Sequence, residues 1–267
     1  MWRSLKVKRN IDAIKKNSNK PKRQKTDIEA SLDPKAAIKK AVIAGNIEDL
    51  KKLLAHNDLG NQAIPGRPDG MTFHRYAVAK AASKGQFECL QQLLAHNDLG
   101  NQAWPNVRKG WTINHYAVFS AAIFGKFECL RQLLAHNDLG NQAWPGVPGG
   151  LTMNEFAVSK AARKGQLGCL RGLLDQNDFG NQQWPGKPDG WTINHFAVEQ
   201  AARKGQFECL KQLLSHDDLG NQQWPRERDG FTISHHAVQT LAENGKSECL
   251  QQLLAHKDLG NQQWPNE

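Results

Sequence analysis

The sequence predicts an all-α solenoid, about six helix-turn-helix units joined by long loops. Three observations predict it. The chain repeats itself every 40 residues without a gap: Thr at 72, 112, 152, 192 and 232, Cys at 89, 129, 169, 209 and 249, and Trp-Pro beginning at 104, 144, 184, 224 and 264. Ile64-Pro65 is a sixth, weaker version of the last pair. A period between about 20 and 50 residues is the mark of a stacked array. Within each period, two stretches free of Pro are separated by a single Gly and followed by a loop rich in turn residues. Each stretch carries one apolar stripe at helical spacing, and a lone helix pair cannot bury both stripes, so the units must stack.

The unit from Gly110 to Pro145 shows the elements of one period. Thr112 is an N-cap, its hydroxyl free to accept from the first amides of the helix. Ile113 to Phe124 is Ala-rich, with Ala117, Val118, Ala121 and Ala122 on one stripe. Small residues there admit a neighbouring backbone. Gly125 ends this helix in a left-handed turn. A second helix runs from about Lys126 to His136, with Phe127, Leu130, Leu133 and Leu134 as its stripe. Asn137-Asp138 and Gly140-Asn141 are turn chemistry. Trp144-Pro145 then opens the long connection to the next Thr.

The pattern T-x-x-H-x-A at Thr112, His115 and Ala117, repeated at Thr192, His195, Ala197 and at Thr232, His235, Ala237, resembles the T-P-L-H-x-A of ankyrin repeats. Gly125, Glu128, Cys129, Leu133 and Leu134 are similar to the second half of an ankyrin unit. The Pro after Thr is absent, replaced by Phe73, Ile113, Met153, Ile193 and Ile233. The first helix is about one turn longer and the loop about three residues longer than in the family, which accounts for 40 residues against about 33. The resemblance covers Asp33 to Pro265 and implies an elongated, divergent ankyrin-like array. The other fold with a period near 40 is a helix-pair solenoid of the HEAT type.

Residues 1–30 read as a basic tail and 31–267 as the array, with an N-terminal capping unit at 31–70 and units at 71–110, 111–150, 151–190, 191–230 and 231–267. Residues 1–26 hold ten basic residues and one acid, Asp12. Of the chain's 35 basic and 26 acidic residues, 25 and 25 remain for everything else, so the basic balance belongs to the tail and the rest is neutral. The tail has three readings. It is a solvated, disordered segment, a localisation element built on Lys20, Lys22, Arg23 and Lys25, or a short basic helix for an anionic membrane surface, with Trp2, Leu5, Val7, Ile11 and Ile14 beside the lysines. Asp33-Pro34 opens the first ordered helix as cap and first position. Asp49 stands where later units carry Cys, and Lys35, Lys39 and Lys40 make this unit polar, as an end cap requires. Ser247, Glu243 and Asn244 give a weaker signal of the same kind at the far end.

No run of 18 apolar residues and no apolar segment near Met1 occurs, so no membrane helix and no ordinary secretory signal is expected. The five Cys fall on the apolar face of the second helices, too widely spaced for disulfides, and read as core residues of a protein kept in a reducing cytoplasm or nucleus. No C-x-x-C pattern supports zinc. The row His56, His96, His136, His216 and His256 lies at second-helix C-termini, where imidazole meets free carbonyls. His115, His195 and His235 give way to Arg75 and Glu155 in other units, which argues against catalysis by them. With no nucleophile set, phosphate loop or paired acid and base, the chain reads as a non-enzyme needing no cofactor. Its expected role is a monomeric protein-interaction module with an unidentified protein partner; arrays of this kind also look like host-directed proteins of intracellular bacteria or viruses. The alternative is a tail-driven binder of nucleic acid or anionic membrane, with the array as spacer. Nucleic-acid binding by the neutral array itself is not expected.

The loop tryptophans, each seven residues before an apolar residue such as Trp111, Leu151 or Trp191, are expected to form a continuous seam. The candidate partner site lies elsewhere. Aligned first-helix positions read Ala79, Ser83, Lys84; Phe119, Ile123, Phe124; Ser159, Arg163, Lys164; Glu199, Arg203, Lys204; and Gln239, Glu243, Asn244. One unit alone is apolar at all three. Phe119, Ile123 and Phe124, rimmed by Lys84, Arg108, Lys109, Arg163 and Lys164, form the candidate.

Overall fold

A computed structural model describes residues 33–256 of the chain apart from 68–69, 105–109, 146–149, 185–186, 188–189 and 228. The basic tail, Arg108, Lys109 and the last Trp-Pro pair lie outside the described residues. Among those described, twelve α-helices run in six pairs: α1 (Pro34–Ile43) and α2 (Ile47–Ala55), α3 (Phe73–Lys84) and α4 (Phe87–Ala95), α5 (Ile113–Ile123) and α6 (Phe127–Ala135), α7 (Met153–Lys164) and α8 (Leu167–Leu174), α9 (Ile193–Lys204) and α10 (Phe207–Ser215), α11 (Ile233–Glu243) and α12 (Ser247–Ala255). Each of the first five second helices runs into a six-residue 3₁₀ turn, such as His136–Asn141 after α6. This is the expected helix-turn-helix solenoid.

Helix ends follow from their side chains. Thr72 and Thr152 accept from the amides of Arg75 and Glu155 at 3.4 Å. His115, His195 and Glu155 complete the exchange by taking the Thr backbone amide, at 3.1 Å for the two histidines. Arg75 has no acceptor to offer and instead donates to the carbonyls of Gly70, at 3.2 Å, and of Ala103 in the loop that follows its helix pair, at 3.5 Å. α5 and α6 are shorter than expected by one residue at one or both ends: Phe124 is a C-cap, Lys126 an N-cap, and His136 leaves the helix in an extended conformation. The 3₁₀ turns need left-handed backbone at the third residue, which Asp tolerates. Asp138 has φ 56°, and its carboxylate accepts from Asn141 Nδ2 at 2.7 Å.

Packing divides the pairs into two rows. First helices meet through alanines that are fully buried, Ala77, Ala81, Ala117, Ala121, Ala157, Ala161, Ala197 and Ala201 among them. Second helices meet through Cys and Leu side chains such as Cys129, Leu130, Leu133 and Leu134. Successive first helices consequently approach over their length, whereas successive second helices touch much less. A stack that is tighter on one side curves toward it, so the first helices line the inner face. All five Cys are buried and free. At the first unit Asp49 is exposed and pairs with Asn46 Nδ2 at 2.7 Å. At the last, Val238, Ala242, Leu250 and Leu254 are more open than their buried counterparts Val198, Ala202, Leu210 and Leu214.

The long loops carry an order the sequence reading lacked. Ala63, Ala103, Ala143, Gln183 and Gln223 each form an antiparallel bridge with the Thr nine residues on. The Trp104 amide donates to the Trp111 carbonyl at 2.8 Å, and Trp144 to Leu151 at 2.6 Å. Each loop is thus a hairpin finger standing at the start of the next first helix.

Candidate protein-interaction face

The fingers bring the tryptophans over the inner face, and a single offset governs their packing. Trp104 stacks on Tyr116 with centroids 3.9 Å apart, Trp144 on Phe156 at 3.3 Å and Trp224 on His236 at 3.6 Å; Trp184 leans on Phe196 at 4.3 Å. Every pair is separated by twelve residues. Neighbouring pairs are joined edge to face: Trp111 with Trp144 at 4.7 Å, Trp191 with Trp224 at 4.8 Å. The expected seam takes the form of two runs of ring contacts, Trp104 to Phe156 and Trp184 to His236, with Leu151 in place of an aromatic residue between them, and the chief ring partners are the aromatic residues one helical turn past the Thr. Their constant offset from Trp was the signal in the sequence.

The candidate residues fall into three situations. Phe119 is half-buried, with the rings of Trp111, Tyr116 and Phe156 at 6.1 to 6.2 Å. The Lys160 ammonium lies 5.6 Å above Phe119 and 4.7 Å above Phe156. Phe119 thus extends the seam rather than standing apart from it. Ile123 is half-buried, and its carbonyl accepts from Gln166 Nε2 of the next unit at 3.1 Å. Phe124 is 53% exposed. Lys84 and Lys164, at the same position in the flanking units, are exposed, and Arg163 is half-buried. Arg108 and Lys109 lie outside the described residues, as do Lys20, Lys22, Arg23 and Lys25.

Charge is sorted in space although it cancels in the sum. The six first helices hold eleven basic side chains and three acidic ones. The 3₁₀ turns hold acids and no Lys or Arg, with Asp58, Asp138, Asp178, Asp217 and Asp218 all exposed. The inner face is accordingly basic and the turn edge acidic.

The titratable groups in the interior are placed for structure. Burial pushes the Cys129 thiol up to about 12 and those of Cys169, Cys209 and Cys249 to about 11, so they are not nucleophiles at neutral pH. His195 is pushed down to about 4 by burial. His115 is lowered by the same cause, against an opposing pull from the Ala143 carbonyl of the next finger. Among the described residues, no group of three or more His, Cys, Asp or Glu is placed to hold a metal ion, and no helix is long and apolar enough to cross a membrane. Grooves of about 310 to 410 Å³ open between units on the second-helix side. The groove between α2 and α4 brings His74 and His96 to 5.4 Å beside Cys89, whose thiol burial raises.

A family model described as ankyrin repeats in three copies matches residues 38–143. Among solved structures, the human ASB11 ankyrin repeat domain is similar at 20% identity, over 79% of this chain and 82% of that one, with a TM-score of 0.42. A search of curated proteins finds no match.

Proposed function

We propose that this chain, whose residues 38–143 match ankyrin repeats and whose period continues unbroken past them, is a non-catalytic module binding a partner protein on its inner face around Phe124. One observation carries the site: a large aromatic side chain 53% exposed at a position where the flanking units place Lys84 and Lys164, and the unit beyond places Lys204. Exposing a phenyl ring gains nothing for the fold, whereas a solvent-facing aromatic that becomes buried on association is the kind of residue that dominates binding. Ile123 and Phe119 extend the apolar surface inward, and Lys84, Arg163 and Lys164 form its rim. Residues 1–30 stand outside this module as a basic tail, with Lys20, Lys22, Arg23 and Lys25 as its localisation element.

The test is Phe124→Lys, which copies the neighbouring units. The variant should melt like the parent and lose the main protein captured by the parent in affinity purification, with affinity down by about tenfold or more. Unchanged capture would remove Phe124 from the site. The pair Phe119→Ser and Ile123→Arg probes the inner part, and a large loss of thermal stability there would assign those two residues to the core.

A further inference from the structure

We propose that the partner recognised on this face is an acidic segment, an apolar anchor flanked by glutamates or aspartates; this rests on the reading of the inner face as the docking surface. The charge of the face points to it. Of the three acids on the first helices, Glu155 is 5% exposed inside a capping box. Glu199 is paired with Arg203 at 2.7 Å, and Glu243 accepts from Gln239 at 2.9 Å. Outward-facing basic groups outnumber acids: Lys39, Lys40, Lys84, Lys164 and Lys204 are exposed, against the exposed Glu243 in the last unit. Phe124 sits within a row of aligned helix ends, Lys84, Phe124, Lys164, Lys204, one residue per unit.

The row also sets a spacing. Packed helices lie about 8–10 Å apart, and an α-helix rises about 1.5 Å per residue. A partner helix lying across the units therefore advances about five to seven residues from one unit to the next, and seven is the interval that returns a side chain to the same helix face. Acid, apolar anchor and acid at that interval would match Lys84, Phe124 and Lys164. The chain's own tail carries ten basic residues against one acid, so charge repels it from this face.

The probe is a labelled helical peptide with a central Phe-Leu pair and Glu pairs seven residues to either side, titrated into the full chain by fluorescence anisotropy. Binding should weaken about tenfold or more on raising salt from about 50 to about 300 mM. It should fall by about tenfold or more in the triple variant Lys84→Glu, Lys164→Glu, Lys204→Glu, and less in the corresponding Lys→Gln triple. A twin peptide with Lys for Glu should not bind. Undiminished binding by the triple variant would place the contact on the tail and overturn the proposal. So would equal binding of the Lys twin, displacement of the peptide by an equal concentration of 20-nucleotide single-stranded RNA, or a low-salt dimer of the parent that the triple variant abolishes. Loss of partner capture in Phe124→Lys together with an unaffected charge triple would overturn the acidic partner and leave the docking site standing. Loss in the charge triple with no effect of Phe124→Lys would do the reverse.

Discussion

The inner row of first helices and the outer row of second helices are built from the same 40-residue period and behave differently. Alanines such as Ala121 let the inner helices approach closely, and every added carbon there must displace a backbone. The outer helices meet through Leu and Cys, keep fewer contacts with one another and leave grooves between units. Register is therefore held by the inner row and its fingers, while the outer row supplies buried volume. The proposed partner face lies on the inner row, with the exposed helix ends and their lysines.

The largest effect should come from Trp144→Ala, which removes a side chain 2% exposed from its stack on Phe156 and its contact with Trp111. A loss of about 3–5 kcal/mol is expected in urea unfolding; a small loss would mean that the fingers hang on the array without holding it. Ala121→Leu, in the tight row, should cost about 1–3 kcal/mol by overpacking although it adds apolar surface. A stabilised variant would show that the inner row has slack.

The third test uses pH. His195 is held down at about 4 by burial, against an ordinary value near 6.5. The unfolded chain takes up a proton in that window that the folded chain refuses, so stability is full above about pH 6.5 and drains as pH falls toward 4. Glu155 fills the same position one unit earlier and has the opposite sign. Burial raises its carboxyl, so its share of stability is present at low pH and is lost as pH rises through the folded value. His195→Glu should accordingly flatten the fall in melting temperature between pH 7 and about pH 5, with His236, also near 4, and His74 and His115, both lowered by burial, left to supply the remaining slope. An unchanged slope would exclude His195 as its source. The smallest effect is expected from Gln206→Ala, which removes a 3.4 Å hydrogen bond to the Arg163 carbonyl across units and should cost no more than about 0.5–1.5 kcal/mol.

Much of the fold was legible because its causes are local. Thr152 before a Gly-free stretch, Gly165 after it with φ 71°, and Leu170 and Leu173 at helical spacing specify caps and stripes without knowledge of the neighbours. The hairpin fingers were not legible, since an isolated bridge such as Ala143 to Thr152 needs only backbone and leaves no apolar alternation. The candidate site was half legible. Aligning the units singled out Phe119, Ile123 and Phe124, yet the covering of Phe119 by Trp111 and by Phe156 of the next unit depends on how the loop and the neighbouring helix pack. Charge was the least legible feature. The neutral sum over residues 27–267 hid a basic inner face and an acidic turn edge, because net charge carries no information about where helices place it.

The contacts between units recur at fixed intervals: Trp with the ring twelve residues on, Gln166 with the carbonyl 43 residues back, and Asn154 Nδ2 with Asn141 Oδ1. Any two cuts in phase by 40 residues therefore regenerate the same joints. Excising 151–190 would bring Gln206 onto the Ile123 carbonyl now met by Gln166, and Phe196 under Trp144 in place of Phe156. Gene copies could lose or gain units through unequal recombination and still encode a closed stack. Phe124 would keep a lysine on each side after that excision, Lys84 and Lys204. The length of this chain is free to drift in whole units while the proposed partner site is inherited intact.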